Sequence, residues 1–218
     1  MRVIEAATIV AIGVLAAGAQ DKVQTADAVL ADLKAGNARH VAKEYQRPNQ
    51  TAARQSELAG GQDPHCAVLT CADSRVPPEI VFDRGLGDMF DVRVAGNVAG
   101  NDELASLEYA AEHFHLPLIV VMGHTKCGAV QAAVTGGQLH GHLPDLIRAI
   151  RPAVVRTSGQ PGDKVENAVR ANVENVVAQL RGSRPVLADL VAKGKVRVVG
   201  SIYSLDTGKV EWLADAAK

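Results

Sequence analysis

Aromatic side chains make up only 3% of these 218 residues, so stacking platforms for unpaired bases are not to be expected. Excess charge is lacking as well: 23 basic against 24 acidic residues leave a formal net charge of -1. Neither nucleic acid nor an anionic membrane surface is therefore an expected partner. Three cysteines are too few for a disulfide framework in a chain of this length. There is no internal repeat and no low-complexity linker, and beyond the first twenty residues no apolar run reaches membrane-spanning length. What remains is 47% hydrophobic and 22% charged, the balance of one globular domain with a sizeable core. Catalysis on a small molecule fits that balance better than recognition of a polyanion.

The amino terminus reads differently from the rest. Met1-Arg2 gives a weakly positive start, Thr8 to Ala17 is uncharged and mainly apolar, and Ala17-Gly18-Ala19 has the small residues of a cleavage site. This layout predicts a signal peptide over 1–19 and a periplasmic or secreted protein, because the apolar run is too short to cross a bilayer. Glu5 and the single basic residue speak for the alternative, a cytoplasmic protein whose terminal helical arm packs on a partner subunit.

The single domain spans 25–213. Thr25-Ala26-Asp27 opens a helical pattern with Val29, Leu30 and Leu33 on one face and Gly36-Asn37 as its stop. A polar stretch from Tyr45 to Gln55 leads to the turn cluster Gly60 to Pro64, and strands are predicted at His65–Thr70, Met89–Val94 and Leu116–Met122. Helices are predicted at Asp102–His113, Gly128–Val134, Leu143–Val155 and Val165–Leu180. A last strand, Val196–Ser204, turns at Asp206 to Lys209 into a short partner ending at Trp212-Leu213. Continuously apolar strands alternating with helices predict an α/β fold: a mainly parallel central sheet flanked by helices, with an antiparallel edge hairpin. Chemistry in such sheets gathers where loops leave the carboxyl ends of strands.

Two motifs fall there. Cys71-Ala72-Asp73-Ser74-Arg75 follows the first strand, and His124-Thr125-Lys126-Cys127-Gly128 follows the third. Two thiolates and one imidazole suit zinc, and three protein ligands leave one tetrahedral position open, as in catalytic sites. Asp73 and Arg75 are two apart, so an extended loop turns both to one side. A carboxylate beside zinc can either ligate it or accept a hydrogen bond from water; a fork-like arginine pair holds it off the metal. Asp73 would then be a metal ligand only in a closed state of the site. Cys66, inside an apolar run, reads as a small buried hydrophobe.

The run Cys71 to Glu79, together with Gly123-His124-Thr125-Lys126-Cys127-Gly128-Ala129, closely resembles the β-class carbonic anhydrases. The resemblance extends over nearly all of 25–213, including Arg93 to Asn97, Ser106 to Ala110 and the closing Asp206 to Val210. It implies the β-carbonic anhydrase fold as an obligate homodimer or higher even oligomer, and one zinc per chain on Cys71, His124 and Cys127. It also implies reversible hydration of CO2 to bicarbonate by a zinc hydroxide, with Asp73 and Arg75 as catalytic dyad. Gln62, nine positions before the first zinc cysteine, matches a substrate-binding glutamine, and Phe90 a hydrophobic wall of the pocket.

Two departures stand out. Val68 occupies the place of a tryptophan that belongs, in one branch of the family, to a regulatory bicarbonate site. Arg93-Val94-Ala95-Gly96-Asn97 differs from the usual Arg-Asn-x-Ala-Asn and leaves that support loop open. His140 and His142 read as solvated loop residues rather than proton relays, His113 and His115 as helix-end residues, and Lys126 as a solvated charge. The rival functions are a CS2- or COS-type hydrolase on the same scaffold and a non-catalytic zinc-bound paralogue.

Overall fold

Residues 24–214 are described by a computed structural model; the expected export segment 1–19 lies outside them. Thr25 accepts the Ala28 N–H at 3.2 Å and caps helix α1, Ala26–Ala42. Gly36-Asn37 does not stop this helix, contrary to expectation. Lys43 ends it in a left-handed conformation, φ 64°. The glycine serves close approach instead, since a Cβ at position 36 would lie 1.8 Å from the Phe82 carbonyl oxygen. Asn37 is buried and joins three distant segments: its amide donates to the Val81 and Gly208 carbonyls, and its Oδ1 accepts the Val210 N–H.

The polar stretch after α1 runs into a short helix α2, Ala52–Leu58. Asp83 pins its beginning by accepting the Gln46 and Arg47 N–H groups and pairing with Arg39. There follow β1 (Cys66–Thr70), α3 (Pro78–Val81), β2 (Met89–Arg93) and a 3₁₀ turn at Ala95–Asn97. Next come α4 (Asn101–His113), β3 (Leu118–His124), α5 (Gly128–Thr135), α6 (Leu143–Arg156) and α7 (Lys164–Gly182). The chain continues through α8 (Val186–Ala192), β4 (Arg197–Tyr203) and β5 (Val210–Trp212). Neither α3 nor α8 is signalled by hydrophobic periodicity, being too short to express it.

The sheet order is β2-β1-β3-β4-β5, parallel except for the β4–β5 hairpin at the edge. Both β1 and β3 are buried at every position, which explains their unbroken apolar runs. Ala67, Leu69, Ile119 and Val121 join α4 and α7 in one core, while Cys66, Val68, Leu118, Val120 and Met122 join α1 and Phe82 in the other. Cys66 is the buried hydrophobe expected, and burial pushes its thiol pKa up. Among the described residues no helix is long and apolar enough to cross a membrane.

Candidate metal centre

Adjacent parallel strands β1 and β3 end side by side, with Thr70 opposite Met122. Cys71 is the first residue past β1, His124 the last of β3, and Cys127 the N-cap of α5. Their ligand atoms all lie within 4.8 Å of one another, and all three residues are buried. His124 Nδ1 lies 2.9 Å from the Thr125 carbonyl oxygen. A carbonyl only accepts, so Nδ1 carries the proton and Nε2 presents its lone pair. That Nε2 is buried without a hydrogen-bond partner, a costly state unless a cation takes the lone pair. The donors present therefore fit a zinc ion.

The Cys71 thiol pKa is lowered, chiefly by the neighbouring Cys127 sulfur and further by the Gly96 N–H, against the opposing effect of burial. The Gly96 N–H lies 3.3 Å from the Cys71 Sγ. Cys127 is raised, by the neighbouring Cys71 sulfur first and by burial second. The backbone N–H groups of Val130 and Ala129, at the amino end of α5, partly offset this.

Asp73 and Arg75 face each other as expected. Arg75 Nε donates to Asp73 Oδ1 at 2.9 Å and Nη2 to Oδ2 at 2.6 Å, while the Arg75 backbone N–H also donates to Oδ1 at 3.0 Å. This grip, chiefly the side-chain hydrogen bond, holds the carboxyl pKa well below its ordinary range. Asp73 Oδ2 is 3.9 Å from His124 Nε2, so the dyad sits at the unpartnered nitrogen.

Arg93 supports this loop from β2, donating to the carbonyls of Cys71 and Asp73. The segment left open by sequence thus has a definite part: Arg93 and Gly96 both hold Cys71. Gly96 takes a left-handed φ of 70°, and a Cβ there would meet Ile150 at 2.7 Å. Asn172 of α7 fixes its carbonyl at 2.8 Å. Arg93 belongs to a segment named in the resemblance, but nothing in the sequence singles out Asn172, which lies far from the ligands.

Gln62 and Phe90 are not joined to the ligands within one chain. Gln62 is exposed in the loop before the amino end of β1, about 17 Å of strand away from Cys71 at the other end. Phe90 pairs in register with Ala67 and packs on Phe114 and the exposed Tyr109, with ring centroids 5.9 and 6.3 Å away. His140 and His142 are exposed in the loop before α6. His113 ends α4, its ring stacked on Tyr109.

Residues 66–210 match the family model described as carbonic anhydrase. The fold is shared with the Coccomyxa β-carbonic anhydrase in complex with acetazolamide, which is 30% identical with a TM-score of 0.67 over 72% of this chain and 75% of that one. The chain belongs to the β-carbonic anhydrase family. Carbonic anhydrase 2 of Mycobacterium tuberculosis is 40% identical over 181 residues, 81% of this chain and 87% of that protein. A tetrameric β-carbonic anhydrase of Sordaria macrospora is 25% identical, with a TM-score of 0.68 over 86% of this chain and 98% of that one. Reversible CO2 hydration, a lyase reaction, is the general activity of this β-carbonic anhydrase family.

Proposed function

We propose that one zinc ion per chain, held by Cys71, His124 and Cys127, serves the reversible hydration of CO2 to bicarbonate and a proton. When bound, zinc supplies Lewis acidity that brings the pKa of a water molecule toward neutrality. Two thiolates offset its charge more than neutral histidines do, so the surrounding residues must assist. Asp73, kept ionised by Arg75, accepts a hydrogen bond from the attacking water and aims its lone pair at CO2. Arg75 keeps that carboxylate from becoming a ligand. His124 gives its Nδ1–H to the Thr125 carbonyl and leaves Nε2 to the metal. The observation that carries the reading is the Asp73–Arg75 fork beside an unpartnered, buried Nε2, which a purely structural zinc site does not need.

Gln62 and Phe90 belong to the substrate pocket in this reading, contributed across a subunit boundary in a homodimer or higher even oligomer. Their distance from their own chain's ligands supports that arrangement, as does the tetrameric state named for the Sordaria relative. Stopped-flow CO2 hydration on protein of measured metal content tests the function. Cys71→Ala is expected to lose zinc and activity together; full zinc content in that variant would refute the ligand set. A zinc-loaded wild type inert toward CO2 would leave CS2 or COS hydrolysis, or a non-catalytic role.

A further inference from the structure

The peptide unit between Thr125 and Lys126 is held at both ends. Its carbonyl oxygen accepts the His124 Nδ1–H at 2.9 Å, and its N–H donates to Glu166 Oε1 at 2.8 Å. Glu166 is half-buried in the first turn of α7, after the N-cap Asp163. Forty residues separate it from Lys126, and no other feature of the chain draws attention to it. The near side of the unit is fixed independently: the Thr125 N–H donates to the Tyr203 carbonyl at 2.9 Å, and Thr125 Oγ1 accepts the Leu205 N–H at 3.0 Å.

On the far side the Lys126 side chain pairs with Asp206 at 2.6 Å, and the Lys126 N–H is held by Glu166. Lys126 adopts a left-handed φ of 56°, a region that disfavours any residue with a Cβ. Rotation of the Thr125–Lys126 peptide would relieve it and would turn the N–H toward His124 Nδ1. The imidazole would then have to accept at Nδ1 and carry its proton on Nε2, where no lone pair would be left for a metal. A carboxylate on the N–H blocks this rotation. It also polarises the amide, since hydrogen bonds in series strengthen one another, and makes the carbonyl a better acceptor for Nδ1–H.

We propose that Glu166 is a positioning residue of the metal centre. It acts through the Thr125–Lys126 peptide to hold His124 in its Nδ1–H tautomer, as carboxylates do by direct contact in many metal sites. The proposal rests on the reading of Cys71, His124 and Cys127 as the zinc site.

Zinc affinity, measured by competition with a chromogenic chelator, is the primary readout. Glu166→Ala is expected to weaken zinc binding about 10- to 100-fold, and Glu166→Gln, whose amide oxygen still accepts the N–H, to recover most of that loss. Asp206→Asn removes a carboxylate paired with the Lys126 side chain but leaves the peptide untouched; it should keep wild-type affinity. In nitrogen-15 spectra the wild-type, metal-free His124 should show a protonated Nδ1, with the Nε2-protonated form growing in Glu166→Ala. Unchanged affinity and tautomer in Glu166→Ala, with only thermal stability lowered, would overturn the proposal. So would an equal loss of affinity in Asp206→Asn, which would assign the effect to nearby negative charge. A wild type that binds no zinc fails the zinc-site reading itself, a result distinct from either.

Discussion

Arg75→Ala separates a gate from a mere neighbour of the metal. The substitution removes two of the three hydrogen bonds that Arg75 gives Asp73, those at 2.9 and 2.6 Å, and leaves the backbone N–H at 3.0 Å. The carboxylate then keeps its charge but loses the fork that sets its orientation. Its Oδ2 already lies 3.9 Å from His124 Nε2. Zinc bonds of about 2.0–2.2 Å to nitrogen and oxygen place two ligands of one tetrahedron roughly 3.4 Å apart. A shift on the order of half an ångström along that direction, within reach of a side-chain rotation, converts Asp73 into a ligand. CO2 hydration is therefore expected to fall at least about 10- to 100-fold while zinc content stays near that of the wild type. Stopped-flow rates give the first quantity and metal analysis the second; X-ray absorption at the zinc edge identifies the fourth ligand. Asp73→Asn should differ, losing activity without closing the site, because the amide is a poorer ligand and a poorer acceptor. An active Arg75→Ala enzyme with an unaltered edge spectrum would refute the gate and leave the family assignment standing.

Three further outcomes are open to measurement. Asn37→Ala strands the buried Val81 and Gly208 carbonyls and the Val210 N–H; at about 1–3 kcal/mol for each unsatisfied group, with partial relaxation, urea unfolding should show a loss of about 3 kcal/mol or more. Asp91 is raised to about 8, by burial first and then by Glu79, so the folded state keeps a proton that the unfolded chain gives up near pH 4. Stability should therefore fall as pH rises from about 4 to about 8, and Asp91→Asn should flatten that slope in unfolding curves taken across the range. Export predicts a mature amino terminus near Gln20, read by mass spectrometry of protein from the native envelope fraction; active cytoplasmic enzyme that keeps Met1 or Arg2 would refute it.

What could be read in the sequence, and what could not, divides by distance along the chain. The buried strands β1 and β3 declare themselves through the unbroken apolar runs Cys66–Leu69 and Leu118–Met122, and the ligands and the dyad because the two motifs stand at the strand ends. Gly36-Asn37 misleads because a helix-stopping pair is also a pair that lets backbones touch and ties three segments by one amide. Only the approach of Phe82 to α1 decides between those uses, and that approach is made by residues more than forty positions away.

The same limit applies at the metal. Cys71, His124 and Cys127 are legible, yet what holds them comes from β2, through Arg93 and the turn after it, and from α7, through Asn172 and Glu166. These residues act on backbone carbonyls and N–H groups, whose positions no side-chain pattern encodes. The proposed pocket, with Gln62 and Phe90, reaches beyond a single chain. Both lie toward the amino ends of β1 and β2, whereas the ligands lie at the carboxyl ends. A pocket that uses them needs a second subunit turned so that its strand starts meet the first subunit's strand ends. Two such sites in a closed pair require a twofold axis, because each chain then gives what it receives.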